Sequence, residues 1–327
     1  MKTIKRTVVK CACIAGLVAG AFSPEPLCAA PARMRVGTYN IRCKTSKDKG
    51  ERSWNDRRRD FFAQLRKLDM DVIGFQEVTA GQYDEIKKEF PDYVFVARFR
   101  EAKDFNGEAV PVCYRKSRFD LEKSGTFWLS NAPDKPGSRS WGSALPRVCT
   151  YAILKDKKSG KRLCFANAHT DHKSEEAREK GMLLVVNRMK DFGKGAPIVF
   201  VGDHNCRETD APAKSVLKLL KDAIYVTKKP PKGPWRTFTG WGWRDKEVSA
   251  VDALKLPMNV RNANKGSPNA DKATNGGHDW VDCGAKIDFI YVSPDITVDA
   301  YETFATPRPG KKCYHSDHFP ISADIML

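Results

Sequence analysis

The sequence predicts an α/β sandwich, in which β-sheets pack face to face and helices cover their outer sides. Apolar runs of strand length outnumber the segments with helical periodicity. A turn at Lys155–Lys161 joins two of these runs as a hairpin, whereas helical patterns separate several of the others. The composition shows no break and no internal repeat, so residues 31–327 are predicted to form a single domain.

The predicted strands are apolar runs bounded by turn-forming residues. One long stretch rich in Asn, Gly, Lys and Pro, Pro257–Gly277, is predicted to be a solvated loop. In chain order, the strands are expected at Met34–Ile41, Val72–Gln76, Tyr93–Ala97, Ala109–Tyr114, Val148–Leu154, Arg162–Ala168, Pro197–Gly202, Lys286–Val292, Thr297–Phe304 and Pro320–Ile325.

The predicted helices are amphipathic segments with recognisable N-terminal caps. Trp54–Leu68 places its apolar side chains on one face. Thr79 begins a capping-box signature that opens a helix to about Phe90. Ser174 caps a longer helix with two glutamates in its first turn, and Asp210–Leu220 is predicted to be a further helix.

Residues 1–30 have the pattern of a bacterial export signal. A positively charged start is followed by the apolar stretch Cys11–Phe22, which is too short to span a bilayer. Small residues precede two alternative cleavage points, after Ala30 or after Ala32. We therefore expect a secreted or periplasmic protein that is monomeric and has no stable membrane insertion.

The cysteines allow disulfides without requiring them. Ten are present, and removal of Cys11, Cys13 and Cys28 with the signal would leave an odd number, so at least one thiol stays free. Several lie inside strand-like runs, where we expect small buried hydrophobic residues. No CxxC pair occurs, so a structural zinc ribbon is unsupported, and the disulfide pairing stays open.

The chain is strongly basic. Its formal net charge is +17, and loss of four cations and one glutamate with residues 1–30 leaves +14. This excess favours polyanionic partners, such as nucleic acid, an anionic membrane surface or phosphorylated small molecules. A generically basic secreted protein is the alternative interpretation.

Polar clusters stand at the ends of the predicted strands. An imidazole and a carboxylate at the mouth of a buried strand are costly unless they do chemistry or are fully hydrogen-bonded. Any one cluster is a weak signal. In chain order they contain Asn40, Gln76-Glu77, Asn167 with His169, Asp171 and His172, Asp203 with Asn205, Asp288, and Ser316-Asp317-His318.

Taken together and in this order, the clusters resemble the motifs of the endonuclease/exonuclease/phosphatase superfamily. Its members include pancreatic-type deoxyribonuclease, abasic-site endonucleases, bacterial sphingomyelinases, inositol polyphosphate 5-phosphatases and deadenylases. The resemblance runs from about Arg35 to the C-terminus. It implies a four-layer α/β sandwich of two packed, mostly antiparallel sheets flanked by helices, and metal-dependent hydrolysis of phosphate esters.

Phosphate-ester hydrolysis requires neutralised phosphoryl oxygens, an aligned water and a protonated leaving group. The resemblance assigns Mg²⁺ (or Mn²⁺) to Glu77 and Asp317, with Asn40 close by, and hard oxygen ligands suit these ions. Asp203 and Asn205 alternate along the chain, so both can face one side and hold the water, with Asp203 as the base.

The histidines receive separate roles. His318 is expected to stabilise the phosphoryl group or share in proton handling, while Asp288 holds its other ring nitrogen. His169 resembles the histidine that protonates the leaving oxygen in the deoxyribonuclease and sphingomyelinase branches. His204 occupies a position that is usually apolar in the Gly-Asp-x-Asn motif. A transition-metal site with Cys206 can be imagined, but no zinc spacing is present, so local packing is favoured.

Substrate contacts are expected from the loops. Arg147, at the end of a loop that resembles secreted bacterial relatives of the deadenylases, is positioned to bind phosphate bidentately. The segment Thr237–Gly240 should edge the cleft, and Trp241 is the expected stacking residue. Asn167 is assigned to substrate binding with them.

Three functions compete on this basis. The favoured one is a secreted nuclease-type phosphodiesterase, supported by the positive charge and the aromatic loops. The second is the same chemistry on phospholipid head groups or on sugar or inositol phosphates, although no strongly apolar loop for membrane contact is visible. The third is an inactive polyanion-binding module, against which the full set of polar clusters argues. The sequence leaves open endo or exo action, mono- or diesterase action, and the number of metals.

Overall fold

The computed structural model describes residues 32–263 and 282–327, so the predicted signal peptide lies outside the described residues. The strands are β1 Arg33–Asn40, β2 Val72–Gln76, β3 Tyr93–Val96, β4 Val112–Arg115, β5 Phe119–Trp128, β6 Val148–Asp156, β7 Arg162–His169, β8 Ile198–Asp203, β9 Lys221–Asp222, β10 Asp288–Val292, β11 Thr297–Thr303 and β12 Ile321–Met326. The helices are α1 Trp54–Leu68, α2 Ala80–Glu89, α3 Glu175–Gly193, α4 Ala211–Leu217, α5 Ala223–Val226, α6 Ala250–Lys255 and α7 Met258–Arg261.

The described strands form two six-stranded sheets. The first has the order β11-β12-β1-β2-β4-β3, and the second has the order β5-β6-β7-β8-β10-β9. Each sheet has one parallel pair at its centre, β1 with β2 and β7 with β8, and its other neighbours are antiparallel. The predicted pair of mostly antiparallel sheets is confirmed.

Apolar clusters divide the molecule into four layers. The central core joins the facing sides of both sheets and contains Val36, Val72, Phe165 and Val201. A second cluster packs α3 and α4 on the outer side of the second sheet, and a third packs α1 and α2 on the outer side of the first. The predicted four-layer α/β sandwich is confirmed.

Helix caps explain why the helices begin where the sequence predicts. Ser53 accepts a hydrogen bond from the Asp56 backbone before α1, and Ser174 accepts one from Ala177 before α3. The capping box of Thr79 is formed before α2. Each cap satisfies backbone N–H groups that the first helical turn leaves without partners.

Several elements differ from the prediction, since β5, β9, α5, α6 and α7 were not predicted. Strand β5 was missed because Asp120, Glu122 and Lys123 interrupt its apolar pattern. They are tolerated because β5 is an edge strand of the second sheet and its middle is exposed. The predicted loop Pro257–Gly277 begins with α7, whose Val260 and Arg261 are buried. The rest of that stretch, from residue 264, lies outside the described residues.

The parallel pairs place the polar clusters at one edge of the sandwich. Asn40 is paired with Gln76 where β1 and β2 end, and His169 is paired with Asp203 where β7 and β8 end. Asp288 opposes Asp203 at the start of antiparallel β10. Because the carboxyl ends of parallel strands meet at the same edge, residues distant in sequence become neighbours there.

The cysteines of the described segments are all free thiols. Cys113, Cys149 and Cys164 are buried inside strands, as predicted. None of the described helices combines the length and apolar character that a membrane span requires.

Candidate active site

His318 is held between two buried carboxylates. Its Nδ1 lies 2.9 Å from Asp288 Oδ2, and its Nε2 lies 3.6 Å from Asp203 Oδ2. Burial alone would lower the pKa of His318, but the charges of Asp288 and Asp203 outweigh it and raise the pKa to about 10. The ring is therefore an imidazolium at neutral pH. The predicted contact between Asp288 and His318 is present.

The turn after β8 brings Asp203, Asn205 and His169 together. Asn205 has a φ of 47°, and its backbone N–H donates to Asp203 Oδ1 at 3.0 Å. Its Nδ2 lies 3.0 Å from His169 Nε2, which is 3.4 Å from Asp203 Oδ2. The two side chains predicted to hold one water do face the same side. A left-handed turn places them there, not the alternation of an extended strand.

Burial shifts the pKa values of Asp203 and His169 in opposite directions. It raises the pKa of Asp203, with His318 opposing the effect and Asp288 adding to it. It holds the pKa of His169 well below the usual range, and the Arg147 charge acts in the same direction. His169 is therefore neutral in the free cleft. Its role as proton donor stays a prediction, and it requires the negative charge of a bound phosphate to raise that pKa.

Glu77 is oriented by an amide and a backbone N–H. Asn40 donates from Nδ2 to Glu77 Oε1 at 3.0 Å and to Asp203 Oδ2 at 2.9 Å, and Cys43 N donates to Glu77 Oε2 at 3.1 Å. Burial alone would raise the pKa of Glu77, but these hydrogen bonds help to hold it below the usual value. The Asn40 oxygen accepts a bond from the Arg42 backbone, so Asn40 positions carboxylates here, and its metal contact stays a prediction.

The donor set around Glu77 fits a divalent cation. Asp317 Oδ2 and Glu77 Oε2 lie 3.8 and 3.9 Å from Arg42 Nη1, beyond hydrogen-bonding distance. Burial raises the pKa of Asp317, and the Glu77 charge adds to the effect. Ligand atoms of Glu77, His169 and Asp203 lie within 4.8 Å of one another, whereas Asp317 belongs to no such group of three among the described residues, so its role as a metal ligand stays a prediction. Carboxylates that are close together and incompletely neutralised are the ligands that Mg²⁺ and Mn²⁺ prefer.

Trp241 does not line the cleft. Its ring is half-buried against the guanidinium of Arg57, 5.6 Å from the ring centre, so its stacking role lacks structural support. The exposed aromatic residue of this segment is Phe238, which is 37% exposed and lies 4.9 Å from the His318 ring. The segment predicted to edge the cleft does so, but with a different side chain.

Asn167 is a structural residue, and its assignment to substrate binding is corrected. It is fully buried between the sheets. Its Nδ2 donates to the carbonyls of Phe75 and Pro111 at 2.8 and 2.9 Å, and its Oδ1 accepts from Gln76 at 2.6 Å. Its amide groups are thus already used, and a Cβ at neighbouring Gly74 would lie only 2.5 Å from Asn167 Cγ.

His204 packs into an aromatic cluster, which confirms the favoured interpretation. Its ring is stacked on Phe289 at 5.8 Å and on Tyr291 at 5.4 Å. Burial lowers its pKa to about 3. Among the described residues, neither His204 nor Cys206 belongs to a close group of metal-ligating atoms.

Arg147 lies in the wall of the cleft, where it is buried. Its Nη2 is 3.0 Å from His172 Nδ1, and its Nε is 3.8 Å from Asp171 Oδ2. Arg100 and Glu108 line the same cleft, whose volume is about 330 Å³. Sequence reasoning missed these two residues because the polar segment between β3 and β4 carries no periodic pattern.

Comparison with known proteins identifies the family. A model described as the Endonuclease/Exonuclease/phosphatase family matches residues 37–318. A Bacteroides vulgatus endonuclease/exonuclease/phosphatase structure is 27% identical, with a TM-score of 0.74, covering 90% of this chain and 99% of that one. A mannosyl-6-phosphatase structure from Bacteroides thetaiotaomicron is 26% identical, with a TM-score of 0.72, covering 90% and 100%.

A curated relative matches over a shorter range. The CCR4-Not complex 3'-5'-exoribonuclease subunit Ccr4 of Emericella nidulans is 26% identical over 172 residues, which are 44% of this chain. The chain spans only 25% of that relative's length. The family match spans most of the chain and includes every strand-end residue from Asn40 to His318, which leads to one conclusion. The chain belongs to the Endonuclease/Exonuclease/phosphatase family and is a metal-dependent phosphoric ester hydrolase.

Proposed function

We propose that this chain is a Mg²⁺- or Mn²⁺-dependent phosphatase that acts on small sugar phosphates. The observation that carries the proposal is the cleft wall, where Arg100, Glu108 and Arg147 stand beside the catalytic groups. A space of about 330 Å³ suits a small ligand. Similarity to a mannosyl-6-phosphatase over 90% of the chain supports the same substrate class.

The chain's own residues provide the groups that such hydrolysis needs. Glu77 and Asp317 would hold the cation, which supplies charge neutralisation at the phosphoryl oxygens when bound. Asp203, whose pKa is raised by burial, has the character of a base for a water that Asn205 helps to orient. The His318 imidazolium would stabilise developing negative charge on the phosphoryl group.

His169 and Arg147 define the side of the cleft where the leaving alcohol is expected. His169 is proposed to face the leaving oxygen, and its Nε2 is held by the Asn205 amide. Arg147 carries a permanent charge near that ring and contributes to phosphate binding. A phosphate bound between these residues favours the protonated form of His169, which can then release its proton to the leaving alcohol.

A nuclease is the second candidate. The net charge of +14 expected after signal removal favours nucleic acid. Phe238 is exposed in the cleft and offers a ring on which a base can stack. The similarity to an exoribonuclease subunit supports the same substrate, although it covers less than half of the chain.

A substrate panel tests the proposal. Purified protein is assayed with Mg²⁺ or Mn²⁺ on mannose 6-phosphate, an inositol phosphate, sphingomyelin, plasmid DNA and RNA. We expect phosphate release from the sugar ester, its loss on addition of EDTA and its return when excess metal is restored. Cleavage confined to DNA or RNA would replace the sugar phosphatase with the nuclease, and cleavage confined to sphingomyelin would refute both.

Export to the periplasm or medium and a monomeric state are also proposed. The support for export is the charged and apolar pattern of residues 1–30. A fusion of these residues to a reporter that is active only outside the cytoplasm tests export. Light scattering of the purified protein tests the monomer.

A further inference from the structure

We propose that Arg100 and Glu108 form a subsite for the leaving group and select phosphate esters of polyhydroxylated alcohols. The inference rests on the proposed function and deepens it. Arg100 donates from Nη1 to Glu108 Oε2 at 2.7 Å, and its backbone N–H donates to the Glu108 carbonyl at 3.0 Å. The two residues thus form one rigid unit, with a donor and an acceptor side by side.

The backbone fixes this pair beside the metal-binding carboxylate. Ala109, which follows Glu108, exchanges both backbone hydrogen bonds with Val78, which follows Glu77. The Glu108 carboxylate therefore projects from a segment anchored next to Glu77, and both side chains line the same cleft. The subsite cannot shift relative to the catalytic groups without breaking this bridge.

Arg100, Arg147 and His169 line one cleft. Burial lowers the pKa of His169, and the charges of Arg147 and Arg100 act in the same direction. Because His169 is proposed to face the leaving oxygen, groups beyond it contact the alcohol part of the substrate. Phe238 stacks near His318 instead.

The pair is poorly explained by fold stability. Glu108 lines the same cleft as Glu77, and the side chains of Arg100 and Glu108 are only 12% and 20% exposed. Among the described residues, the buried Nε atoms of Arg100 and Arg147 have no hydrogen-bond partner. Incompletely satisfied charges lining a cleft destabilise a fold, and they are retained where a ligand completes their hydrogen bonding.

A sugar has the matching chemistry. Each hydroxyl can donate to a carboxylate and accept from a guanidinium, so adjacent hydroxyls can bind Glu108 and Arg100 together. An ester whose alcohol lacks hydroxyls desolvates the pair and leaves the Arg100 Nε donor without a partner, which is a basis for rejection. The Glu108 charge also repels a further phosphate, which disfavours a polynucleotide on this side.

The test compares two esters that carry the same phosphate on different alcohols, mannose 6-phosphate and 4-nitrophenyl phosphate. Glu108→Gln retains the size of the side chain and removes its charge, whereas Arg100→Lys retains charge and removes the planar fork. We expect kcat/KM on the sugar ester to fall at least roughly tenfold more than on the nitrophenyl ester in either variant. Free mannose should inhibit the wild type competitively and Glu108→Gln more weakly.

Glu122→Gln is the matched control because Glu122 is exposed on edge strand β5, and it should keep the wild-type ratio. Thermal unfolding checks that each variant folds. Equal losses on both esters, or an unchanged ratio, would overturn the subsite while leaving the proposed phosphatase intact. A wild type that hydrolyses the nitrophenyl ester but not mannose 6-phosphate would instead overturn the sugar phosphatase, and the subsite with it.

Discussion

Two histidines lie on opposite faces of the second sheet, and both are buried. His318 precedes β12 of the first sheet and contacts the inner face of the second sheet through Asp288, the first residue of β10. His204 faces outward and stacks on Phe289, the second residue of that strand. Successive side chains of a strand point to opposite faces. Asp288 therefore presents a carboxylate to His318 on one face of β10, and Phe289 presents an aromatic ring to His204 on the other.

The difference shows which force decides the charge of a buried imidazole. Burial acts on both rings in the same direction, towards the neutral form. His204, with no carboxylate against it, has its pKa lowered to about 3, whereas Asp288 and Asp203 raise the pKa of His318 to about 10. The charge of a buried histidine in this fold is therefore decided by whether carboxylates contact it, and not by how deeply the ring is buried.

The largest effect on activity is expected from substituting the charged His318 or its neighbour Asp203. His318→Ala or Asp203→Asn should reduce kcat/KM for a phosphate ester by roughly 10³-fold or more, because each removes charge stabilisation or proton transfer. Steady-state kinetics with Mg²⁺ measures the loss, and circular dichroism checks that the fold is intact. Turnover near that of the wild type in either folded variant would refute the assigned mechanism.

A smaller and pH-dependent effect is expected from Asp288→Asn. The wild-type imidazolium persists towards pH 10, and without the Asp288 charge its pKa falls, so the charged form is lost at lower pH. We expect the alkaline limb of the kcat/KM profile to move to lower pH, with a loss of roughly tenfold at pH 8 that shrinks towards pH 6. A loss of the same size at every pH would contradict this explanation.

The smallest effect on activity is expected from substituting the neutral His204. His204→Phe should leave kcat/KM within about threefold, because the ring contacts aromatic side chains and no catalytic group. The wild-type His204 ring contributes a stability that is fully present above pH 6.5. This stability is lost as the pH falls towards about 3, since in that range the ring is protonated in the unfolded state but not in the folded state.

Urea unfolding at pH 7 and pH 5 measures this second property. The variant should lose less stability on acidification than the wild type, by up to about 1.4 kcal/mol per pH unit below 6.5. Identical pH dependence in the two proteins would show that the fold does not shift the pKa of His204. Loss of activity alongside normal folding would reopen a chemical role for His204.

Most of the fold and the grouping of the strand-end polar residues in one cleft could be predicted because their signals are local. Strand runs and capping residues such as Ser53 and Ser174 act over a few positions, and the polar clusters stand directly at strand ends. Strand β5 escaped prediction because an edge strand needs no alternating apolar pattern. The sequence favoured a nuclease because of its net charge, whereas the proposed sugar phosphatase rests on the lining of the cleft, which net charge does not describe.

The depth at which a side chain lies in the sandwich, and the residues that it contacts elsewhere in the chain, could not be predicted. Asn167 lies on the same face of β7 as His169, but two residues earlier in the strand, about 7 Å deeper in the sandwich. That distance separates a group that lines the cleft from one that joins the sheets. Trp241 is covered by Arg57, which is far from it in sequence, and Arg100 meets Glu108 through a hairpin with no distinctive composition.

The position of β12 has a consequence for how the enzyme matures. This strand pairs with β1 inside the first sheet, and Ser316 just before it donates to the Asn40 carbonyl at 2.8 Å. A ribosome-bound chain that lacks β12 therefore has neither a complete first sheet nor His318. Hydrolytic activity cannot appear during synthesis until residues 316–326 emerge, and closing contacts of such long sequence separation slows folding.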